Sequence, residues 1–451
     1  MKLIFICVFN NPDYLKLLYL LLESIQLYGQ LDQQTHILIY TSTNFRKIIK
    51  RSCLLQPNIL FQINDNYENV TLACKARLDL FELPLLRDNT YQKILYLDTD
   101  ILVKGNINPI FHLAKHDVIY AIEEGRLDDD RDFYGKSLFH ESELNPHRGK
   151  SAFSSGVMLF NNCPTLRHLF QTIKNDIRNR PREFVCHDQP YIVYHAFRTG
   201  LYNHQAIKCL AVNNDLNIHS DKAIHHFPGN TGVYYNKSIE MIQFLSQLKH
   251  QTVQQTLDAV KNYINSHLLP ILHQLNEPLE GNVLMEHQTT NYYPPYENKA
   301  KNIITVASNN KIKNILEIGF GSGFSSLLML MANQNANVTS IDWMKHSYVK
   351  PCYLKIKETF GDRINLIEGD SRKVMKKLTG PYDLIHIDGN IFTEIVKRDI
   401  QNSIRLSQRT ILIVDDYNYQ HIRELWDRYV KKYHLQDIDI LLFPTDTHSL
   451  K

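Results

Sequence analysis

A chain of 451 residues exceeds what one hydrophobic core usually serves, so two domains are expected. Hydrophobic residues at 43% and charged residues at 22% exclude a disordered chain, and a formal charge of +3 excludes charge-driven attraction to nucleic acid or membrane. The seven cysteines (Cys7, Cys53, Cys74, Cys163, Cys186, Cys209 and Cys352) are scattered and lack CxxC spacing, which fits reduced thiols in a cytoplasm better than a disulfide frame. If the source is viral, that cytoplasm is the host's.

The first strand is expected over residues 2–9. Its apolar run is short and Asn10-Asn11-Pro12-Asp13 follows in place of a small-residue cleavage site, so it reads as a buried strand rather than a signal peptide. Leu15, Leu18, Leu21, Leu22 and Ile25 share one face of a helix over 12–29. Further strands are expected at 36–41, 94–97, 118–121 and 156–160, an alternation typical of α/β domains. No stretch reaches the length of a membrane span.

Within Ile94–Val103 two carboxylates, Asp98 and Asp100, stand two residues apart at the end of an apolar run. On an extended backbone such residues point to one side, and two unpaired carboxylates in a core are costly, so a hard divalent cation between them is expected. Lys75 and Arg77 lie upstream as a basic pair able to meet phosphate. Ala152–Asn161 places Ser154, Ser155 and Gly156 at a strand entrance, His187-Asp188-Gln189-Pro190 supplies a carboxylate and an amide, and Ile224–Asn230 brings histidines into a glycine-containing turn. The run Asp128–Asp132 reads as a solvated loop, and His225 as a packed neighbour rather than a ligand.

Taken in this order, these motifs resemble the family 8 nucleotide-sugar glycosyltransferases of the glycogenin and lipopolysaccharide-galactosyltransferase type, over residues 1–237. The resemblance implies an α/β GT-A nucleotide-diphospho-sugar transferase fold, a retaining reaction and a nucleotide-sugar donor such as a UDP-hexose. It implies Mn²⁺ or Mg²⁺ on Asp98, Asp100 and His226 of a DxD site. Val8, Asn10 and Asn11 would frame the nucleotide, with Lys75, Arg77, Thr99, Ser154, Ser155 and Gly229 completing the donor site and Asp188 and Gln189 as catalytic residues at the sugar. Two departures stand out. Phe153-Ser154-Ser155-Gly156 replaces the family's Phe-Asn-Ser-Gly, and Gly232-Val233-Tyr234 offers no match to its Lys-Pro-Trp, which weakens diphosphate binding.

From 238 to 284 the chain becomes helical and Gln-rich, with Val253, Leu257, Val260, Ile264 and Leu268 at three- and four-residue steps. This segment is expected to be a connector, ended or kinked at Pro270. Residues 285–451 restart the alternation, with strands at 313–318, 337–341, 364–367, 382–387 and 410–414. Asn314–Ser325 is a strand, a Gly-rich turn and a helix start, with G-x-G-x-G spacing at Gly319, Gly321 and Gly323 rather than the G-x-G-x-x-G of dinucleotide sites; NAD is the competing ligand. Asp342, ending the next strand, is placed to accept ribose hydroxyls, and Glu368-Gly369-Asp370-Ser371 is suited to adenine.

These features resemble class I S-adenosylmethionine (SAM)-dependent methyltransferases, a Rossmann-like fold. Tyr382–Asn390 and Ile411–Tyr417 resemble the cation-dependent catechol and caffeoyl-CoA O-methyltransferases. The resemblance implies SAM contacts from Glu317, Gly319, Gly321, Gly323, Asp342, Asp370, Ser371 and Asp388, and Mg²⁺ on Asp388, Asp415 and Asp416. Relatives place His or Lys as a base three residues after the strand-four acid, where this chain has Ile391; His386 is a substitute whose strand position favours burial. The combined expectation is a bifunctional enzyme of glycan biosynthesis that acts on a glycan or small-molecule hydroxyl and binds no nucleic acid. The rivals are a glycosyltransferase with a non-catalytic SAM-binding domain, and a scaffold of two inactive binding folds.

Overall fold

The computed structural model describes residues 1–51, 58–67, 69–228, 234–436, 443–445 and 448–450. It divides into two compact units, Met1–Leu248 and Lys249–Lys451. The helical stretch expected as a connector is shared between them. Its Tyr234–Tyr263 helix crosses the division, and Val253, Leu257, Val260, Ile264 and Leu268 are buried in the second unit's core. Pro270 does not end the helical run. A π-turn at Ile264–Leu268 precedes it, and the proline sits in the first turn of the Leu269–Leu275 helix, where its missing N–H costs nothing.

The first unit is built on a seven-stranded sheet. Its strands are β1 (Lys2–Val8), β2 (Thr35–Thr41), β3 (Ile59–Ile63), β4 (Lys93–Leu97), β6 (Ile119–Arg126), β7 (Ser151–Asn161) and β8 (Tyr202–Asn203), in the order β3-β2-β1-β4-β7-β6-β8. Strands β3, β2, β1 and β4 run parallel, whereas β7 is antiparallel to both β4 and β6. A small second sheet holds β5 (Ile101–Val103), β9 (Ala211–Asn213) and β10 (Ile224–His226), in the order β5-β10-β9. The Pro12–Tyr28 helix follows β1, started by Pro12 and capped by Asn11, and buries Leu15, Leu18, Leu21, Leu22 and Ile25.

One expectation needs revision. The apolar run 94–103 is not one strand: it leaves the large sheet at Leu97, bends through Asp98-Thr99-Asp100 and enters the small sheet at Ile101. The two carboxylates therefore lie in a corner between sheets, not on a pleated strand, and their convergence comes from the bend.

The second unit carries a six-stranded sheet in the order β13-β12-β11-β14-β15-β16, from β11 (Asn314–Ile318), β12 (Asn337–Asp342), β13 (Ile364–Glu368), β14 (Leu384–Ile387), β15 (Ile411–Asp415) and β16 (His448–Leu450). All neighbours are parallel except β15 and β16. Chain order reverses between β11 and β14, which opens a crevice at their carboxyl ends, where α/β sheets bind ligands. The strands absent from the sequence-based expectation are β3, β5, β8, β9, β10 and β16, of at most five residues each. Among the described residues no helix is long and apolar enough to cross a membrane.

Candidate active sites

At the carboxyl ends of β1 and β4 the first unit encloses a cavity of about 920 Å³, lined among others by Val8, Arg77, Asp98, Asp100, His226 and Lys237. Ligand atoms of Asp98, Asp100 and His226 all lie within 4.8 Å of one another. His226 Nδ1 is 2.8 Å from Asn213 Oδ1, a pairing that leaves Nε2 facing Asp100 Oδ1 at 3.4 Å. Asp100 Oδ1 is buried without a hydrogen-bond partner. Buried carboxylate oxygens are seldom left in this state, so the donor set fits an oxygen-preferring divalent cation that also accepts imidazole.

The two carboxylates are pushed apart. Burial raises the Asp98 pKa; Arg77 opposes this and Asp100 adds to it. Burial also acts on Asp100, but Lys237 and His226 outweigh it and hold that carboxyl well below the usual range. Lys237 Nζ donates to Asp100 Oδ2 at 2.6 Å. This lysine, absent from the sequence expectation, supplies a cation in the cavity although the Lys-Pro-Trp match fails. The signal was present eleven residues after His226, but only the start of the Tyr234–Tyr263 helix turns it inward.

Asp188 and Gln189 also line this cavity. Asp188 is fully buried and receives Arg77 Nε at 2.8 Å and Nη2 at 2.6 Å, so both its oxygens are engaged. Gln189 Oε1 accepts from Ser155 N at 2.9 Å and Ser155 Oγ at 3.1 Å, which fixes the β7 strand. Both side chains brace the cavity wall: Arg77, gripped by Asp188, also donates to Ser155 O at 2.8 Å and stands 3.6 Å from Asp98 Oδ2. Asn11 caps its helix through Asp13 N, and neither Asn10, Asn11 nor Lys75 lines the cavity, whereas Thr99, Ser154 and Ser155 do. Gly229 lies outside the described residues. His225 is buried, 4.8 Å from the Phe244 ring, and the Asp128–Asp132 run pairs locally with Arg126, Arg131 and Lys136.

In the second unit Gly319, Gly321 and Gly323 all have positive φ. A Cβ on Gly319 would meet Asp388 O at 2.3 Å, so only glycine lets β11 and β14 approach this closely. Asp342 Oδ2 accepts from Phe320 N at 3.0 Å and Gly321 N at 2.8 Å, and Oδ1 from Met344 N at 2.7 Å. The second-strand acid therefore clamps the Gly-rich turn. Glu317 is no cofactor contact: it is fully buried and accepts hydroxyls from Ser325 and Ser340, both at 2.6 Å, and from Ser326. It ties the start of the Phe324–Ala332 helix to β11 and β12. Asp370 caps the Ser371–Val374 turn and pairs with Arg372 at 2.7 Å, which occupies the carboxylate expected at adenine.

At the tips of β14 and β15, His386, Asp388 and Asp415 bring ligand atoms within 4.8 Å of one another, a group that has His386 where Asp416 was expected. His386 is fully buried. Lys299 pairs with Asp415 Oδ2. Burial raises the Asp388 pKa, with Asp415 adding to it, and the same causes push Asp416 up to about 6. Burial would neutralise Lys299, but Asp415 and Asp388 raise its pKa and keep it charged. Ile391, at the position where relatives carry a base, is exposed.

Residues 28–202 match the family model described as Glycosyl transferase family 8, and residues 316–417 match that described as Methyltransferase domain. The chain joins a family 8 glycosyltransferase domain to a methyltransferase domain. No curated protein matches the chain in sequence. Among solved structures, apo mouse Xyloside xylosyltransferase 1 is similar at 12% identity and TM-score 0.37, covering 51% of this chain and 99% of that one. SAH-bound Podospora anserina methyltransferase PaMTH1 is similar at 20% identity and TM-score 0.30, covering 44% and 94%. The O-methyltransferase TomG from Streptomyces achromogenes, solved with SAM, is similar at 17% identity and TM-score 0.27, covering 31% and 69%.

The methyltransferase domain also buries a carboxyl that serves neither cluster. Asp399 is 1% exposed, and burial pushes its pKa up to about 6 against a hydrogen bond from Ser371. Its folded pKa exceeds the unfolded value of about 3.9, so the folded state holds the extra proton and stability falls as pH rises between the two. Asp399→Asn should remove that slope. Relative to wild type it should gain about 0.5 kcal/mol at pH 4 and about 2–3 kcal/mol at pH 8. Both tryptophans, Trp343 and Trp426, lie in this unit, so denaturation followed by tryptophan fluorescence reads it separately. A gain independent of pH would contradict the assignment.

Proposed function

We propose that the glycosyltransferase domain transfers a hexosyl group from a nucleotide-diphosphate sugar, such as a UDP-hexose, to a hydroxyl, with retention. The methyltransferase domain is proposed to bind SAM and methylate a hydroxyl, so that the two act in turn in glycan biosynthesis. The observation that carries the first reading is the convergence of Asp98, Asp100 and His226 around the orphaned Asp100 Oδ1. Those three side chains would hold Mn²⁺, which when bound offsets charge on the departing diphosphate. Lys237 is 2.6 Å from Asp100 on the cavity wall and meets the phosphates as a further cation. Arg77 neutralises Asp98 from below and, through Asp188, keeps the wall fixed. The acceptor's proton is proposed to pass to the leaving phosphate.

For the second domain, the supporting observation is the Gly319–Gly323 turn pinned by Asp342 at the topological switch point. The N-terminus of the helix that follows and the turn's free backbone receive the cofactor, which supplies the methyl group.

The test is a nucleotide-sugar panel assayed for Mn²⁺-dependent hydrolysis. One donor should be turned over by wild type, and Asp100→Ala should lower that rate by about 10²-fold or more, since it removes one of three ligands. Equal background rates in both proteins across the panel would leave a binding scaffold as the better account.

A further inference from the structure

Lys299 lies on the Glu297–Ala307 helix, on one stripe with Ile303 and Val306, both fully buried. Lysine on an apolar stripe normally snorkels outward, yet this side chain is 5% exposed. It runs inward past Tyr296, with Nζ 5.8 Å from that ring's centre, and ends in an ion pair with Asp415 Oδ2. Asp388 and Asp416 act on the same ammonium. The cluster that the family resemblance assigns to Mg²⁺ therefore already faces a cation belonging to the chain.

An ammonium buried among carboxylates is stable only while it stays paired. A divalent ion bound through Asp415 would sit against that ammonium with no water to screen the repulsion. The first domain differs. There Lys237 meets Asp100 through Oδ2, and Oδ1 and His226 Nε2 are directed at the ligand triangle. In the second cluster His386 Nε2 is 4.0 Å from Asp415 Oδ2, and its ring nitrogens have no hydrogen-bond partner. A metal held by His386, Asp388 and Asp415 is thus the competing occupant.

We infer that the Lys299 ammonium is the resident cation of the Asp388–Asp415–Asp416 cluster, standing where relatives hold a divalent metal, and that this domain works without one. The inference rests on the methyltransferase reading for its functional meaning.

The test uses the full chain carrying Asp98→Asn and Asp100→Asn, so that any Mn²⁺ bound must be in the second domain. Mn²⁺ titration followed by electron paramagnetic resonance should show no bound ion. Adding Lys299→Met should create a site for one Mn²⁺ per chain, and adding Lys299→Arg should create none. Bound Mn²⁺ with Lys299 in place, lost again on Asp388→Asn, overturns the inference; so does a folded Lys299→Met protein that gains no site. Tryptophan fluorescence reports whether that variant is folded. If it is not, the parent protein decides: Mn²⁺ bound there overturns the inference, and none bound supports it. Calorimetry with SAH on wild type tests the methyltransferase reading separately, since absent heat would sink that reading and leave the metal result standing.

Discussion

Arg77→Met should destabilise the glycosyltransferase domain by about 3–5 kcal/mol, the cost of leaving a buried charge without its partner. Arg77 is 7% exposed and Asp188 fully buried; the guanidinium reaches both carboxylate oxygens, at 2.8 and 2.6 Å, and the Ser155 carbonyl at 2.8 Å. Burial alone would lower the arginine's pKa, but Asp188 raises it well above the ordinary value, so the pair is held charged. Once the arginine is gone, Asp188 has neither water nor a counter-ion. Adding Asp188→Leu should restore most of the lost stability, because an apolar pair of similar volume replaces an ion pair at little cost. Donor hydrolysis should stay low in the double variant, since Asp98 still lacks the guanidinium 3.6 Å from its Oδ2. Hydrogen exchange at β4 and β7 amides measures the stability change. A single variant within about 1 kcal/mol of wild type would show that this pair does not hold the cavity wall.

Gly156→Ala should reduce Mn²⁺ affinity and Mn²⁺-dependent donor hydrolysis by about 10–100-fold with the fold intact. Gly156 is on β7 between β4 and β6, and its carbonyl accepts from Asp98 N at 2.8 Å, so the backbone cannot give way. A methyl group there would stand 2.4 Å from His226 Cε1, 2.5 Å from Nε2 and 3.1 Å from Asp98 Oδ2. The ring must therefore turn out of the ligand triangle and break its 2.8 Å contact with Asn213. The requirement is for space, not for a special backbone angle: Gly156 is not among the positive-φ glycines. Raising Mn²⁺ should recover part of the rate. An unchanged Mn²⁺ dependence would remove His226 from the proposed ligand set.

The large elements and the two motif-bearing turns could be read directly from the order of residues. The Pro12–Tyr28 helix was legible because burial of one face writes a period into neighbouring residues, and strands β1, β2, β4, β11, β14 and β15 because burial on both faces writes a continuous apolar run. The acidic pair at Asp98 and Asp100 and the glycines at 319, 321 and 323 were legible because each motif lies within a few residues. Which charges meet depended on the fold. Arg77 and Asp188 are 111 positions apart and Lys237 and Asp100 are 137 apart, so no local pattern records either pair. Those pairings hold Asp188 against Arg77, bring Lys237 to the cavity of the first unit and set Lys299 beside Asp415. Burial made the same decision for Glu317. A carboxylate next to a Gly-rich turn can face the ligand or the core, and three serine hydroxyls from α-helix and sheet turn it inward. Secondary structure follows from periodicity along the chain, whereas the charge state and task of a buried acid follow from whatever distant part of the fold is packed against it.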